Sequence, residues 1–191
     1  MIKVLFIIVL LFTYSCSHKI VSNQTTGSEL IGGEFEMQNH NSEIVTHKTF
    51  RGKYQLLFFG FTNCQTVCPI GLSRVGRALR KLSSNHQNQV QPIFVTVDPN
   101  RDTNIVIKKY LSSFHSKFVG LRGSQSQLDQ MIKRYRGYYG RVEGEAEEYS
   151  FDHSDIIYLM GKEGEYITHF SSSTSHQLMA KKIEEVINKN K

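Results

Sequence analysis

Tryptophan is absent from this 191-residue chain, and proline and cysteine occur only three times each. So little proline excludes a proline-rich linker or repeat, and three cysteines are too few for a disulfide-built scaffold. They suffice for one working pair and one odd thiol. No apolar run approaches the roughly 20 residues of a membrane-spanning helix; the longest, VLFIIVLLF, covers residues 4–12. Hydrophobic residues make up 39% and charged residues 21%, which excludes a collagen-like, coiled-coil or fully disordered chain. Basic residues exceed acidic ones to give a net charge of +6. That balance is compatible with an anionic partner or a membrane surface, without pointing to one. The length fits one compact core with appendages.

The amino end supplies the appendages. Lys3 followed by the short apolar run has the form of a secretory signal. Thr13-Tyr14-Ser15-Cys16 resembles the lipobox at which bacterial lipoproteins are cleaved and acylated on cysteine, with Tyr14 where a small residue is usual. Residues 1–16 are therefore expected to be a signal and lipoprotein-type anchor through Cys16. A signal cut nearby and an uncleaved anchor are the alternatives. Residues 17–30 (SHKIVSNQTTGSEL) are polar and unpatterned, as a tether would be. The folded domain is expected over 31–191, on the extracytoplasmic (periplasmic) face of a membrane. That placement counts against nucleic-acid binding, although Lys133–Arg141 interleaves basic and aromatic residues.

Within the domain, Glu34–Gln38 alternates and Ile44–Phe50 suggests a partner strand, together an opening hairpin. Tyr54–Gly60 is a continuous apolar run, expected for a strand buried on both faces. Gln91–Val97 reads as a second buried strand and Phe118–Leu121 as a short third. Helical stripes recur at Leu72, Val75, Leu79 and Leu82, at Ile107, Tyr110, Leu111 and Phe114, and at Leu128, Met131, Ile132 and Tyr135. Residues 137–150 are polar and glycine-dotted and read as loop. Ile156–Met160 and Glu165–Phe170 flank a Gly161–Gly164 turn, a second hairpin, and Met179, Ile183, Val186 and Ile187 close the chain as a helix. This order predicts an α/β fold with a mixed central sheet, flanking helices and an N-terminal β-hairpin.

Cys64 and Cys68 follow the central strand directly and precede a helix starting near Cys68 or Pro69. Open α/β folds place their sites at this carboxyl edge of the sheet. The positive end of a helix dipole also favours thiolates. Three readings are open: a structural disulfide, a redox pair, and two metal ligands. A loop this short makes a disulfide a weak stabiliser. The C-x-x-x-C spacing suits two thiolates on one ion better than the C-x-x-C usual in thioredoxin-type oxidoreductases. His153, in Ser150-Phe151-Asp152-His153-Ser154-Asp155, precedes the last hairpin and is a candidate third ligand, with Asp152 and Asp155 as carboxylates to orient its ring. A solvated loop histidine is the bland alternative. None of Pro69, Pro92 and Pro99 stands where thiol–disulfide enzymes carry a proline before the final hairpin.

Four ordered blocks now stand together: Phe59-Gly60-Phe61-Thr62, Cys64-x-x-x-Cys68-Pro69, Phe94–Pro99 followed by Arg101-Asp102-Thr103, and Asp152-His153-Ser154. They resemble the Sco/SenC family of copper proteins over about Gly33–Phe170. The resemblance implies a thioredoxin-like fold and one copper bound by Cys64, Cys68 and His153. It also implies delivery of that copper to the dinuclear site of cytochrome c oxidase subunit II. The family usually has Pro and Asp after the first cysteine, where this chain has Gln65 and Thr66. Asp98 is similar to an acid that some members place near copper, while Arg101-Asp102-Thr103 reads as a helix cap. Two enzyme readings compete: a thiol–disulfide reductase using Cys64 and Cys68, and a peroxide-reducing enzyme.

Overall fold

A computed structural model describes residues 31–144 and 148–190. The apolar run at 4–12, Cys16 and the expected tether at 17–30 lie outside the described residues. In chain order the first half comprises β1 (Glu36–Asn39), β2 (Ile44–Thr46), a 3-10 turn (His47–Phe50), β3 (Tyr54–Gly60), α1 (Val67–Lys81), α2 (Ser84–Asn88) and β4 (Val90–Thr96). The second half comprises α3 (Asn104–Ser112), β5 (Val119–Arg122), α4 (Gln125–Tyr135), β6 (Tyr139–Glu143), β7 (Tyr149–His153), β8 (Ile156–Met160), β9 (Tyr166–Ser171) and α5 (His176–Lys189). Among the described residues, no helix is long and apolar enough to cross a membrane.

Seven strands form one mixed sheet in the order β2-β1-β5-β4-β3-β8-β9. β3, β4 and β5 run parallel, while β1 and β8 are antiparallel to their neighbours. Every residue of β3 is buried, and successive side chains go to opposite faces. Tyr54, Leu56 and Phe58 pack with Leu72, Val75 and Leu79 of α1, Ile107 and Leu111 of α3, and Met179 and Ile183 of α5. Leu57 and Phe59 pack on the other face with Leu128, Met131, Ile132 and Tyr135 of α4. Each helical stripe in the sequence thus lands on the sheet. Thr103, Ser124 and Ser175 cap α3, α4 and α5 with their hydroxyls, each satisfying an N–H that the helix itself leaves open.

Three stretches depart from the sequence expectation, the first being α2, a short helix with no buried residue and hence no apolar stripe to announce it. The opening hairpin is present, but its second strand stops at Thr46, where the chain coils into the 3-10 turn that buries Phe50. The expected loop at 137–150 instead contributes β6 and β7, paired antiparallel from Tyr139↔His153 to Glu143↔Tyr149 in a separate two-stranded sheet. β6 has no buried face and no alternation. β7 does alternate, Tyr149, Phe151 and His153 being half-buried and Ser150 and Asp152 exposed, but over only five residues and without a fully buried position.

Candidate metal centre

The parallel order of β3 and β4 puts their carboxyl ends at one edge, and Cys64 leaves that edge four residues beyond Gly60. β8 enters at the same edge, because its antiparallel register sets Phe58 against Ile157. Three residues before Ile156, at the end of β7, His153 is thereby brought over the cysteines. The ligand atoms of Cys64, Cys68 and His153 lie within 4.8 Å of one another. Donors about 2.0–2.3 Å from a common ion are separated by at most about 4.6 Å, so little movement would seat a first-row metal.

Cys68 occupies the first turn of α1 and is fully buried; Cys64 is partly exposed. Both are free thiols. A Cβ on Gly60 would lie 2.5 Å from Cys68 Sγ, so the glycine leaves the sulfur its space. Thr66 gives α1 no side-chain cap. Cys64 Sγ takes that place, accepting the N–H of Cys68 at 3.5 Å. A hydrogen bond from the Cys68 thiol, with smaller help from the N–H groups of Cys68 and Thr66, holds Cys64 well below the ordinary thiol range despite partial burial. The same hydrogen bond and burial push Cys68 up. The pair therefore shares one proton, held on Cys68.

His153 Nδ1 lies 3.0 Å from the Ser154 carbonyl. A carbonyl only accepts, so Nδ1 carries the proton and the Nε2 lone pair is left for the site. Nε2 stands 3.3 Å from Cys68 Sγ. Phe58 and Phe61 meet the imidazole edge-on, with centroids at 5.9 and 5.8 Å. The carboxylates expected to orient the ring do neither of these things. Asp152 is exposed, and Asp155 accepts from the Ser172 hydroxyl at 3.2 Å. A backbone carbonyl orients His153 instead, and sequence patterns do not reveal backbone partners.

Beyond these three groups, Gln65 and Thr66 are exposed on the wall of a cleft of ≈ 500 Å³, opposite Tyr149 and Phe151 of the hairpin. Asp98 is buried, but it is engaged by Arg101 Nε and the Tyr149 hydroxyl rather than by the cysteines. In the Arg101-Asp102-Thr103 block only Thr103 caps the helix. Asp102 is fully buried and accepts from the Thr62 N–H at 3.0 Å, the Thr62 hydroxyl at 2.5 Å and the Thr96 hydroxyl at 2.6 Å. It ties the loop leading to Cys64 to the end of β4. Sequence reasoning missed this role because the capping threonine beside Asp102 already explained the block. The basic-aromatic stretch 133–141 is split between the end of α4 and strand β6.

Residues 23–188 match the family described as SCO1/SenC. The chain belongs to the SCO1/SenC family. An SCO2-like protein of Rickettsia felis is 34% identical over 188 residues, 91% of each chain. Bradyrhizobium japonicum ScoI with copper bound superposes with a TM-score of 0.76 at 35% identity, covering 81% of this chain and 98% of that one. Yeast Sco1 with copper bound gives a TM-score of 0.76 at 34% identity, covering 83% and 88%. The thioredoxin-like fold expected from the resemblance is therefore the fold of this SCO1/SenC protein.

Proposed function

We propose that this protein is a copper chaperone, holding one copper ion through Cys64, Cys68 and His153 and passing it to the dinuclear copper site of cytochrome c oxidase subunit II. In this reading residues 1–16 anchor it to the membrane through Cys16, residues 17–30 are the tether, and the domain from 31 onward faces the periplasmic side. The observation that carries it is the convergence of two sulfurs and one imidazole nitrogen within 4.8 Å. Thiolates select Cu(I), and an imidazole beside them also accommodates Cu(II). The relatives solved with copper bound support the choice of metal.

Copper is cargo here, and the geometry suits both holding and release. Cys68 grips from the buried side, while Cys64 and His153 line the open cleft. An incoming donor from the client would reach the ion through that cleft and displace the exposed ligands first. The family supports an oxidase client.

The test is copper stoichiometry on the reduced fragment lacking residues 1–16, wild type beside His153→Ala. One tightly held copper, lost or greatly weakened in the variant, is the expected result. A wild type that retains no copper would overturn the reading and leave Cys64 and Cys68 as a redox pair. The thiolate character of Cys64 favours that second reading, a thiol–disulfide reductase with Cys64 attacking. His153→Ala should then leave most thiol exchange intact.

A further inference from the structure

Two of the three donors sit on the body of the domain, and the third does not. Cys64 and Cys68 belong to the β3–α1 junction, whereas His153 is the last residue of a hairpin that shares no ladder with the seven-stranded sheet. Whatever fixes that hairpin against the body also fixes Nε2 over the sulfurs. Near His153 the contacts are apolar: Phe151 meets Phe61 edge-on with centroids 5.6 Å apart. At the far end of β7 the contacts are of another kind. The guanidinium carbons of Arg101 and Arg141 lie 3.7 and 4.0 Å from the centroid of the Tyr149 ring.

Arg101 and Asp98, both in the β4–α3 loop, hold Tyr149 by its ring, its carbonyl and its hydroxyl. Arg101 covers its ring, and Arg101 Nη1 donates to its carbonyl at 2.8 Å. The Tyr149 hydroxyl donates to Asp98 Oδ1 at 3.1 Å, and Arg101 Nε pairs with the other oxygen of the same carboxylate. Asp98 is buried and Arg101 largely so, which makes this a fixed mount rather than a solvated ion pair. A desolvated cation over an aromatic face is worth more than an exposed one. Arg141, on β6 of the same hairpin, adds a second cation over the ring and is itself paired with Glu143 at 2.7 Å.

We propose that Tyr149 and Arg101 are positioning residues for the metal site: their contact docks the β6–β7 hairpin and so sets the distance of His153 from the two cysteines. The inference rests on His153 being a copper ligand, as proposed above. It makes the docked hairpin the closed form of the site, and undocking at Tyr149 the event that withdraws one donor of three.

The experiment compares wild type, Tyr149→Ala and Tyr149→Phe, with two readouts on each. Amide hydrogen exchange of the metal-free protein reports hairpin docking, and Cu(I) retention against a competing chelator reports the ligand. In Tyr149→Ala, amides of 149–153 should exchange about tenfold faster while β3 is unchanged, and Cu(I) retention should weaken by about tenfold, the scale of one lost cation–π contact in a partly dry setting. Tyr149→Phe keeps the ring and should recover most of both. Unchanged exchange in Tyr149→Ala overturns the proposal, as does faster exchange with copper retention intact. Should wild type retain no copper, the chaperone reading fails on its own, and the exchange arm still decides whether Tyr149 docks the hairpin.

Discussion

Gly60→Ala tests how tightly the site is built into the sheet. Gly60 ends β3, and its backbone is not in the left-handed region, so alanine meets no conformational barrier and only space decides. The new Cβ would lie 2.5 Å from Cys68 Sγ, 3.1 Å from Phe94 Cε2 and 3.3 Å from Phe58 Cε1. Ordinary contact is about 3.5–4.0 Å, so the sulfur is too close by about 1 Å. It has nowhere to go, because Cys68 is fully buried in α1 and β3 is held between β4 and β8. Overpacking of this kind costs about 1–3 kcal/mol, against about 0.5–1 kcal/mol gained by replacing glycine in a strand. A net loss of about 1–2 kcal/mol lowers the thermal midpoint by about 2–8 °C in a domain of this size. Circular dichroism on wild type, Gly60→Ala, Cys68→Ala and the double variant measures it. With the sulfur removed, only the two milder ring contacts remain, so Gly60→Ala should cost at least about 1 kcal/mol less in the Cys68→Ala background. An equal cost in both backgrounds would refute the argument that the glycine exists to seat the sulfur.

Four further outcomes follow from the geometry. Because Cys64 is held as a thiolate chiefly by the Cys68 thiol, its alkylation by iodoacetamide in metal-free protein should be nearly equal at pH 8 and pH 6, where an ordinary thiol slows by roughly 75-fold. The same lowered pKa adds stability that is complete above the ordinary thiol value and declines as pH falls toward the lowered one; urea midpoints of wild type against Cys64→Ser from pH 9 to 6 should converge accordingly. Asp102→Ala leaves the Thr62 N–H and the Thr62 and Thr96 hydroxyls without their acceptor, and should cost about 2–4 kcal/mol in chemical denaturation, with Asp102→Asn milder. Asp152→Asn should leave Cu(I) retention within about twofold, since Ser154 and not Asp152 orients the imidazole; a large loss would restore the carboxylate to that role.

The parts of the fold legible in the sequence are those where burial is two-sided or strictly periodic. Tyr54–Gly60 had to be a central strand, because a run of that apolarity fits only a strand covered on both faces. The stripes of α1, α3, α4 and α5 had to face it, because each repeats at the helical period. The β6–β7 hairpin was not legible, for the opposite reason: Val142 and Glu143 of β6 are exposed, and the alternation of β7 is only five residues long with no fully buried position, so neither strand stands out from the polar stretch around it. The candidate site divides along the same line. Cys64 and Cys68 were marked by their place after a buried strand. His153 was marked by its neighbours and by resemblance, but what aims it is a backbone carbonyl and what carries it is the unrecognised hairpin.

That division has a physical consequence. Donors on the β3–α1 junction share the stability of the whole core, since moving Cys68 means moving α1 off the sheet. A donor on β7 is held by two strands' worth of pairing, the Phe61–Phe151 contact, the Phe58 and Phe61 rings against the imidazole and the Tyr149 mount, and small units of this kind open at lower free energy than the whole fold. Affinity and release are then separate properties of the chain. With the proposed ligands, the buried sulfur would set how firmly an ion is kept when the hairpin is docked, and the hairpin would set how often one ligand position opens to the cleft. A protein with the proposed task of keeping copper in transit and giving it up on contact would need both terms adjustable apart, and the mount, built from Tyr149 and the β4–α3 loop, shares no hydrogen bond with either sulfur.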